Sequence, residues 1–198
     1  MAVRARTEQK LLDAADALLF TRGIVTTPVD RILERAGVSP ATLYRAYGSK
    51  EGLVAAALQR RHRAWVTTWD QALEDAPDDR SRLLAVFDAL ETFHAGADGA
   101  RWCAFLGTAA EYADPPAVLA DAVRQDTDLL RTRLTQLAQP VVGADRSSQL
   151  AESLLLVFSG ELAMRLRDDV PGDTGAHQHG AARALAGTIV DATTGTPA

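Results

Sequence analysis

Within the stretch ATLYRAYGSK, Thr42, Tyr44, Arg45 and Lys50 place two hydroxyl groups and two cations close together. Hydroxyls can donate to or accept from base edges, and a guanidinium or ammonium group pairs with phosphate, so the chemistry these types suit is recognition of nucleic acid rather than bond making. The residues just before them, Ser39, Pro40 and Ala41, are small or capable of hydrogen bonding. Such residues are needed at the end of a helix that comes close to base edges. Thr27, upstream, adds one more hydroxyl to the candidate set.

Two short helices with a tight turn between them must position these groups. Thr27 is a good N-cap and Pro28 suits a first helical position, so a helix is expected through Ile32 and Leu33 to about Arg35. Gly37 should end it. Ser39 and Pro40 repeat the cap-plus-proline signal, opening a second helix through Leu43. The apolar residues Val29, Ile32, Ala36, Val38, Leu43 and Ala46 can face one another across the turn. That leaves Pro40, Ala41, Thr42, Tyr44 and Arg45 on the open side, on a helix able to enter a major groove. Ser49 can cap the helix after that, where Lys50 and free backbone N–H groups together suit a phosphate.

The run AGVSPATLYRAYGSKEGL, with an earlier helix ending in FTRG, resembles the DNA-binding domain of the tetracycline-repressor (TetR) family of bacterial regulators. Leu33 stands where that family usually has a small residue, and Tyr47 where it usually has phenylalanine. The resemblance implies an all-α homodimeric regulator with an N-terminal three-helix helix-turn-helix domain and a helical ligand-binding and dimerisation domain, divided here at residues 1–50 and 51–198. It also implies binding to a roughly palindromic double-stranded DNA operator and repression relieved by a small molecule, although activation, or regulation without a small ligand, would leave the same sequence signals. The rival reading is a helical carrier or interaction protein that no longer binds DNA, against which the intact Thr42, Tyr44, Arg45 and Lys50 argue.

Composition agrees with this division. The 198 residues carry a net charge of −5, but residues 1–65 hold 11 Lys or Arg against 6 Asp or Glu, whereas residues 66–198 hold 10 against 20. The basic end is the end with the helix-turn-helix, and it is the end suited to phosphate. No apolar run reaches the length of a membrane span, and MAVRARTEQK lacks the apolar core of a signal peptide, so a cytoplasmic protein without a membrane partner is expected. Cys103 is the single cysteine, which rules out an intramolecular disulfide and reads as a small core residue.

Along the chain, residues 1–6 read as a mobile arm from which Arg4 and Arg6 could reach DNA or remain solvated. Helical spacing of Leu11, Leu12, Ala15, Leu18 and Leu19 predicts a bracing helix over 7–22, closed by Gly23. A long helix from Lys50 to about Asp75 follows, with Val54, Leu58, Trp65, Trp69 and Leu73 on one stripe; it starts at the DNA end and ends in the second domain, as a lever would. Further helices are expected over 78–95, 101–113, 117–138, 150–166 and 181–193. The segment LAESLLLVFSGELAMRL is apolar on more than one face, which points to burial on several sides. With the small-residue helix after it, it is the expected dimer surface, through Leu150, Leu154, Phe158, Leu185 and Ile189.

Enzyme chemistry has little support. The chain has no glycine-rich phosphate loop, no G-x-S-x-G and no H-E-x-x-H, so neither a cofactor nor a metal is expected. His177 and His179 would point to different faces of a helix, and the pairs Asp78–Asp79 and Asp168–Asp169 fall at helix ends where capping explains them. The aromatic set Trp65, Trp69, Phe87, Phe93, Trp102 and Phe105 could be plain core. As a set it exceeds what a small helical domain needs and suits an apolar or aromatic ligand, with His62, His94 and Glu111 as polar handles.

Overall fold

The computed structural model describes residues 2–96, 103–168 and 180–195; for residues 2–4, 166 and 168 only the backbone is described. Among these residues there is no strand, in keeping with the all-α expectation. The helices are α1 (Ala2–Arg22), α2 (Val29–Ala36), α3 (Pro40–Tyr47), α4 (Lys50–Glu74), α5 (Asp79–Ala95), α6 (Ala104–Glu111), α7 (Ala117–Val142), α8 (Ala144–Asp168) and α9 (Ala181–Thr194). They form two compact units, Met1–His62 with Ala100–Gln125 and Arg63–Gly99 with Asp126–Ala198. The division falls inside α4 and inside α7.

Unit 1 is built on the apolar stripe of α1. Leu11, Ala15, Leu19 and Phe20 are buried with Ile32 of α2, Leu43 of α3 and Leu53, Val54 and Leu58 of α4. Charge ties α4 to α1 as well: Arg60 donates to Asp13 at 2.6 Å and also to Asp16, while Arg61 lies 5.3 Å over the Phe20 ring. Partly buried pairs of this kind fix the direction of approach more than they add stability. The first helix begins at Ala2, so residues 2–6 of the expected arm are instead the opening turns of α1, and Met1 lies outside the described residues. Ala2, Arg4, Ala5 and Arg6 are all strong helix formers, and a helix already anchored at Leu11 extends upstream at little cost.

Unit 2 buries Trp65, Trp69 and Leu73 of α4 against Leu83, Phe87 and Leu90 of α5, Leu134 and Ala138 of α7, Leu154 and Phe158 of α8, and Ala186 and Val190 of α9. Asp78 caps α5, accepting from the Ser81 amide at 2.7 Å, as the acid pair at that helix end suggested. Two boundaries differ from expectation. Pro140 does not end α7: the helix continues to Val142, whose side chain is buried in the core, and Gly143 ends it in a positive-φ conformation. Packing of Val141 and Val142 outweighs the single hydrogen bond that proline removes near a helix terminus. Helix α8 begins at Ala144 rather than near Leu150, with Ser147 buried in its first turn and its hydroxyl donating to the Ala144 carbonyl at 2.8 Å.

Candidate functional site

Helix α2 ends in a turn that only a residue tolerant of the left-handed region adopts readily. Gly37 has φ 64° and ψ 42°, its N–H donates to Glu34 and Leu33, and the next amide, of Val38, also reaches the Leu33 carbonyl. This is a Schellman close in which Leu33 is buried in the core cluster of unit 1 and the partly buried Val38 packs against that cluster. Ser39 then stands at the N-cap of α3 with Pro40 in its first turn. Its hydroxyl lies 2.9 Å from that of Thr42, forming a small hydroxyl pair at the start of α3.

The face of α3 turned to solvent carries most of the expected set. Ser39, Pro40, Ala41, Tyr44 and Arg45 are exposed and Thr42 is half-buried, while Leu43 points into the core. The remaining two are placed differently. Thr27 is 4% exposed and its hydroxyl donates to the Gly23 carbonyl at 2.6 Å. It therefore fastens the α1–α2 turn and does not cap α2, which starts one residue later behind Pro28. Lys50 is half-buried at the start of α4, its ammonium donating to the Ile24 carbonyl, and burial holds its pKa below the usual lysine range. Ser49 caps α4 through the Gly52 amide at 3.0 Å.

Composition and spacing offered no direct signal for the group that completes this arrangement. Glu111, at the end of α6, accepts from the backbone N–H of Ile24 at 2.9 Å and of Val25 at 2.8 Å, one oxygen to each. Its expected part as a polar handle for a ligand is thus replaced by a part in the α1–α2 turn. Gly23 permits the approach: its φ is 97°, and a Cβ there would sit 2.9 Å from the Thr26 hydroxyl and 3.3 Å from Glu111 Oε2. Carboxylate, turn and Lys50 together hold the peptide between α1 and α2 from both sides. Glu111→Ala is expected to cost about 2 kcal/mol through two lost charge-assisted bonds. It should also speed hydrogen exchange at the Ile24 and Val25 amides before any other part of unit 1.

Of the aromatic set, Trp65, Trp69, Phe87 and Phe93 come together in unit 2. The Trp65 ring centroid lies 5.8 Å from that of Trp69, 5.7 Å and edge-on from Phe93, and 5.7 Å from Phe158, which in turn is 6.2 Å from Phe87. The Arg133 guanidinium stacks 4.5 Å from the centroid of Trp69 and pairs with Asp70. Phe105 is not in this group. It packs in unit 1, with the His62 ring edge-on at 6.2 Å. His94 is exposed, Cys103 is half-buried at the N-cap of α6, and Trp102, His177 and His179 lie outside the described residues.

The expected dimer residues also divide. Leu150, Leu154 and Phe158 are buried inside unit 2, enclosed by this chain's own helices, whereas Ile189 is half-buried and Leu185 is 53% exposed. Hydrophobicity on several faces of α8 thus reflects its position in the core of unit 2. Among the described large apolar residues of α8, Leu156 is turned to solvent at 73% and Met164 at 46%.

Comparison with known proteins decides the kinship. Residues 11–57 match the sequence model of the bacterial regulatory proteins of the tetR family. That span runs from α1 through the Schellman turn to the first half of α4, which is all of the helix-turn-helix just described. The helix-turn-helix of unit 1 is of the TetR-family type. It is 39% identical over 84 residues to the transcriptional activator FasR of Mycolicibacterium smegmatis, and 26% identical over 156 residues to the transcriptional regulator BetI of Brucella anthropi. The first match spans 42% of this chain and 38% of FasR; the second spans 77% of each protein. A putative TetR regulator from Streptomyces avermitilis has a similar structure, with a TM-score of 0.74 at 29% identity, covering 94% of this chain and 97% of its own. A TetR-family regulator from Streptomyces coelicolor reaches 0.78 at 23% identity, covering 96% and 95%, a likeness of fold. The TetR-family assignment thus rests most firmly on unit 1. None of the described helices is long and apolar enough to cross a membrane.

Proposed function

We propose that this chain is a sequence-specific DNA-binding transcriptional regulator whose hold on a palindromic operator is released by a small apolar ligand. The observation that carries the reading is the solvent face of α3, where Ser39, Pro40, Ala41, Tyr44 and Arg45 are exposed while Leu43 and the Gly37 turn lock the helix from behind. A helix held that way presents its N-terminal residues to base edges, with Tyr44 and Arg45 within reach of the backbone. Thr42 reads sequence through its hydroxyl pair with Ser39, and Lys50, with one of its three N–H donors on the Ile24 carbonyl, offers the others to phosphate at the start of α4.

One such helix contacts only a few base pairs, so the working unit is a two-fold dimer. The surface for it lies on the outer faces of α8 and α9, where Leu156 and Leu185 are exposed beside the small residues Gly160, Ala163, Ala181 and Ala184. Small residues let helices approach closely and the two leucines supply the apolar area. The ligand binds on the aromatic cluster of unit 2.

A mobility-shift titration with DNA from around the protein's own gene tests the DNA reading. Thr42→Ala should narrow the gap between operator and random DNA, while Lys50→Ala should weaken binding to both and reduce the salt slope by about one unit. Equal binding to operator and random DNA would remove the sequence specificity, and binding to neither would leave only the rival carrier reading.

A further inference from the structure

Trp65 and Trp69 stand one turn apart on α4, both at least nine-tenths buried, and the Nε1 of each is fully enclosed without a hydrogen-bond partner. Burying an N–H without an acceptor is unfavourable, and native cores leave few such groups. Here two lie in adjacent rings, in the cluster already assigned to a ligand. The two rings share one face of α4, and neither indole N–H meets an acceptor among the described residues.

The charges around them narrow its chemistry. Arg133, stacked on Trp69, is paired with Asp70, and Arg165, 7% exposed on α8, is paired with both Glu91 and Glu161. Both of these cations are therefore engaged by carboxylates, one of them by two. A ligand carboxylate would find both of these guanidinium groups already paired and would face desolvation without their compensation. Phe93 and Phe158, at 5.7 Å from Trp65 between ring centroids, add apolar walls that suit a flat body.

Building on the proposal that unit 2 holds the regulatory ligand, we infer that this ligand is a neutral, flat, apolar molecule carrying a carbonyl-type oxygen, which accepts from the indole N–H groups of Trp65 and Trp69. The acceptor gives orientation and the rings give affinity. Loss of the oxygen leaves two buried donors unpaired again, so the site discriminates strongly against the bare hydrocarbon.

The test uses the full-length protein with three probes of one shape: 2-acetylnaphthalene, 2-isopropylnaphthalene and 2-naphthoate. With indole nitrogens labelled, the ketone should move two of the three tryptophan indole N–H proton resonances downfield, and the hydrocarbon should move neither in that direction. The ratio of ketone to hydrocarbon affinity should fall about tenfold in the Trp65→Phe, Trp69→Phe double variant, a comparison from which transfer out of water cancels. The naphthoate should bind more weakly than the ketone. Equal binding of ketone and hydrocarbon, or indole resonances that ignore the ketone in the unsubstituted protein, would overturn the inference while leaving an apolar ligand site standing. Tighter binding of the naphthoate would overturn its neutral character. Failure of all three probes to bind would remove the ligand-site reading and the inference together.

Discussion

Leu185→Glu combined with Leu156→Glu is expected to give a folded monomer that has lost tight operator binding. Both side chains lie mostly in solvent on α9 and α8, so a carboxylate at either position meets water in the single chain and loses nothing of the core. In a two-fold pair the same carboxylates would be enclosed with their symmetry mates, and a like-charge pair without a partner opposes assembly. A monomer presents one recognition helix where the dimer presents two. Its affinity should fall toward the level seen on random DNA, a loss of at least about 10³-fold. Sedimentation velocity reads the oligomeric state and a mobility-shift titration reads the loss. A proven monomer that still binds operator tightly would remove the dimer from the mechanism.

The contrast with Leu154 shows how far the sequence could be read. Leu154 lies only two residues before Leu156, yet it is fully buried between α8 and its neighbours. Leu154→Asp should cost more than about 4 kcal/mol and unfold unit 2, so it cannot serve as a probe of dimerisation. In the run SLLLVF each apolar residue looks alike. Which of them faces in, and which faces out, is set by the arrangement of α5, α7 and α9 around α8, and a local pattern does not encode that arrangement.

By contrast, the helix-turn-helix was legible because its determinants are local. Gly37 for a left-handed turn, Ser39 and Pro40 for a helix start, and Ser49 as a cap act within a few residues of where they stand. Glu111 was misread for the opposite reason. Its two bonds run to amides 87 and 86 residues away, and nothing near position 111 announces them. The aromatic set failed in part on the same ground: Phe105 has the same composition signal as Phe93 but packs in the other unit. Spacing on α4 was enough to pair Trp65 with Trp69, because residues four apart on a helix share a face.

That pairing also carries the remaining prediction, that ligand and operator weaken one another. Helix α4 holds Lys50, tied to the α1–α2 turn, and Arg60, tied to α1, and later in the same helix it holds Trp65 and Trp69 in the aromatic cluster. At 1.5 Å per residue Lys50 and Trp69 are about 28 Å apart along the axis, so a tilt of about three degrees displaces one end by roughly 1.5 Å. A ligand wedged among Trp65, Phe93 and Phe158 would shift the helix it touches, and that shift would pass through Arg60 to α1 and through Lys50 to the α1–α2 turn. Paired recognition helices tolerate little such error in spacing. Linkage then sets the size of the effect from both directions: ligand should lower operator affinity, and saturating operator should lower ligand affinity, by the same factor, about 5- to 150-fold. Tryptophan fluorescence titrations of 2-acetylnaphthalene with and without operator measure one side, and a mobility shift with and without the ketone measures the other. Quenching that is indifferent to operator would leave a binding site with no switch attached, because a ligand with equal affinity for both states moves no equilibrium.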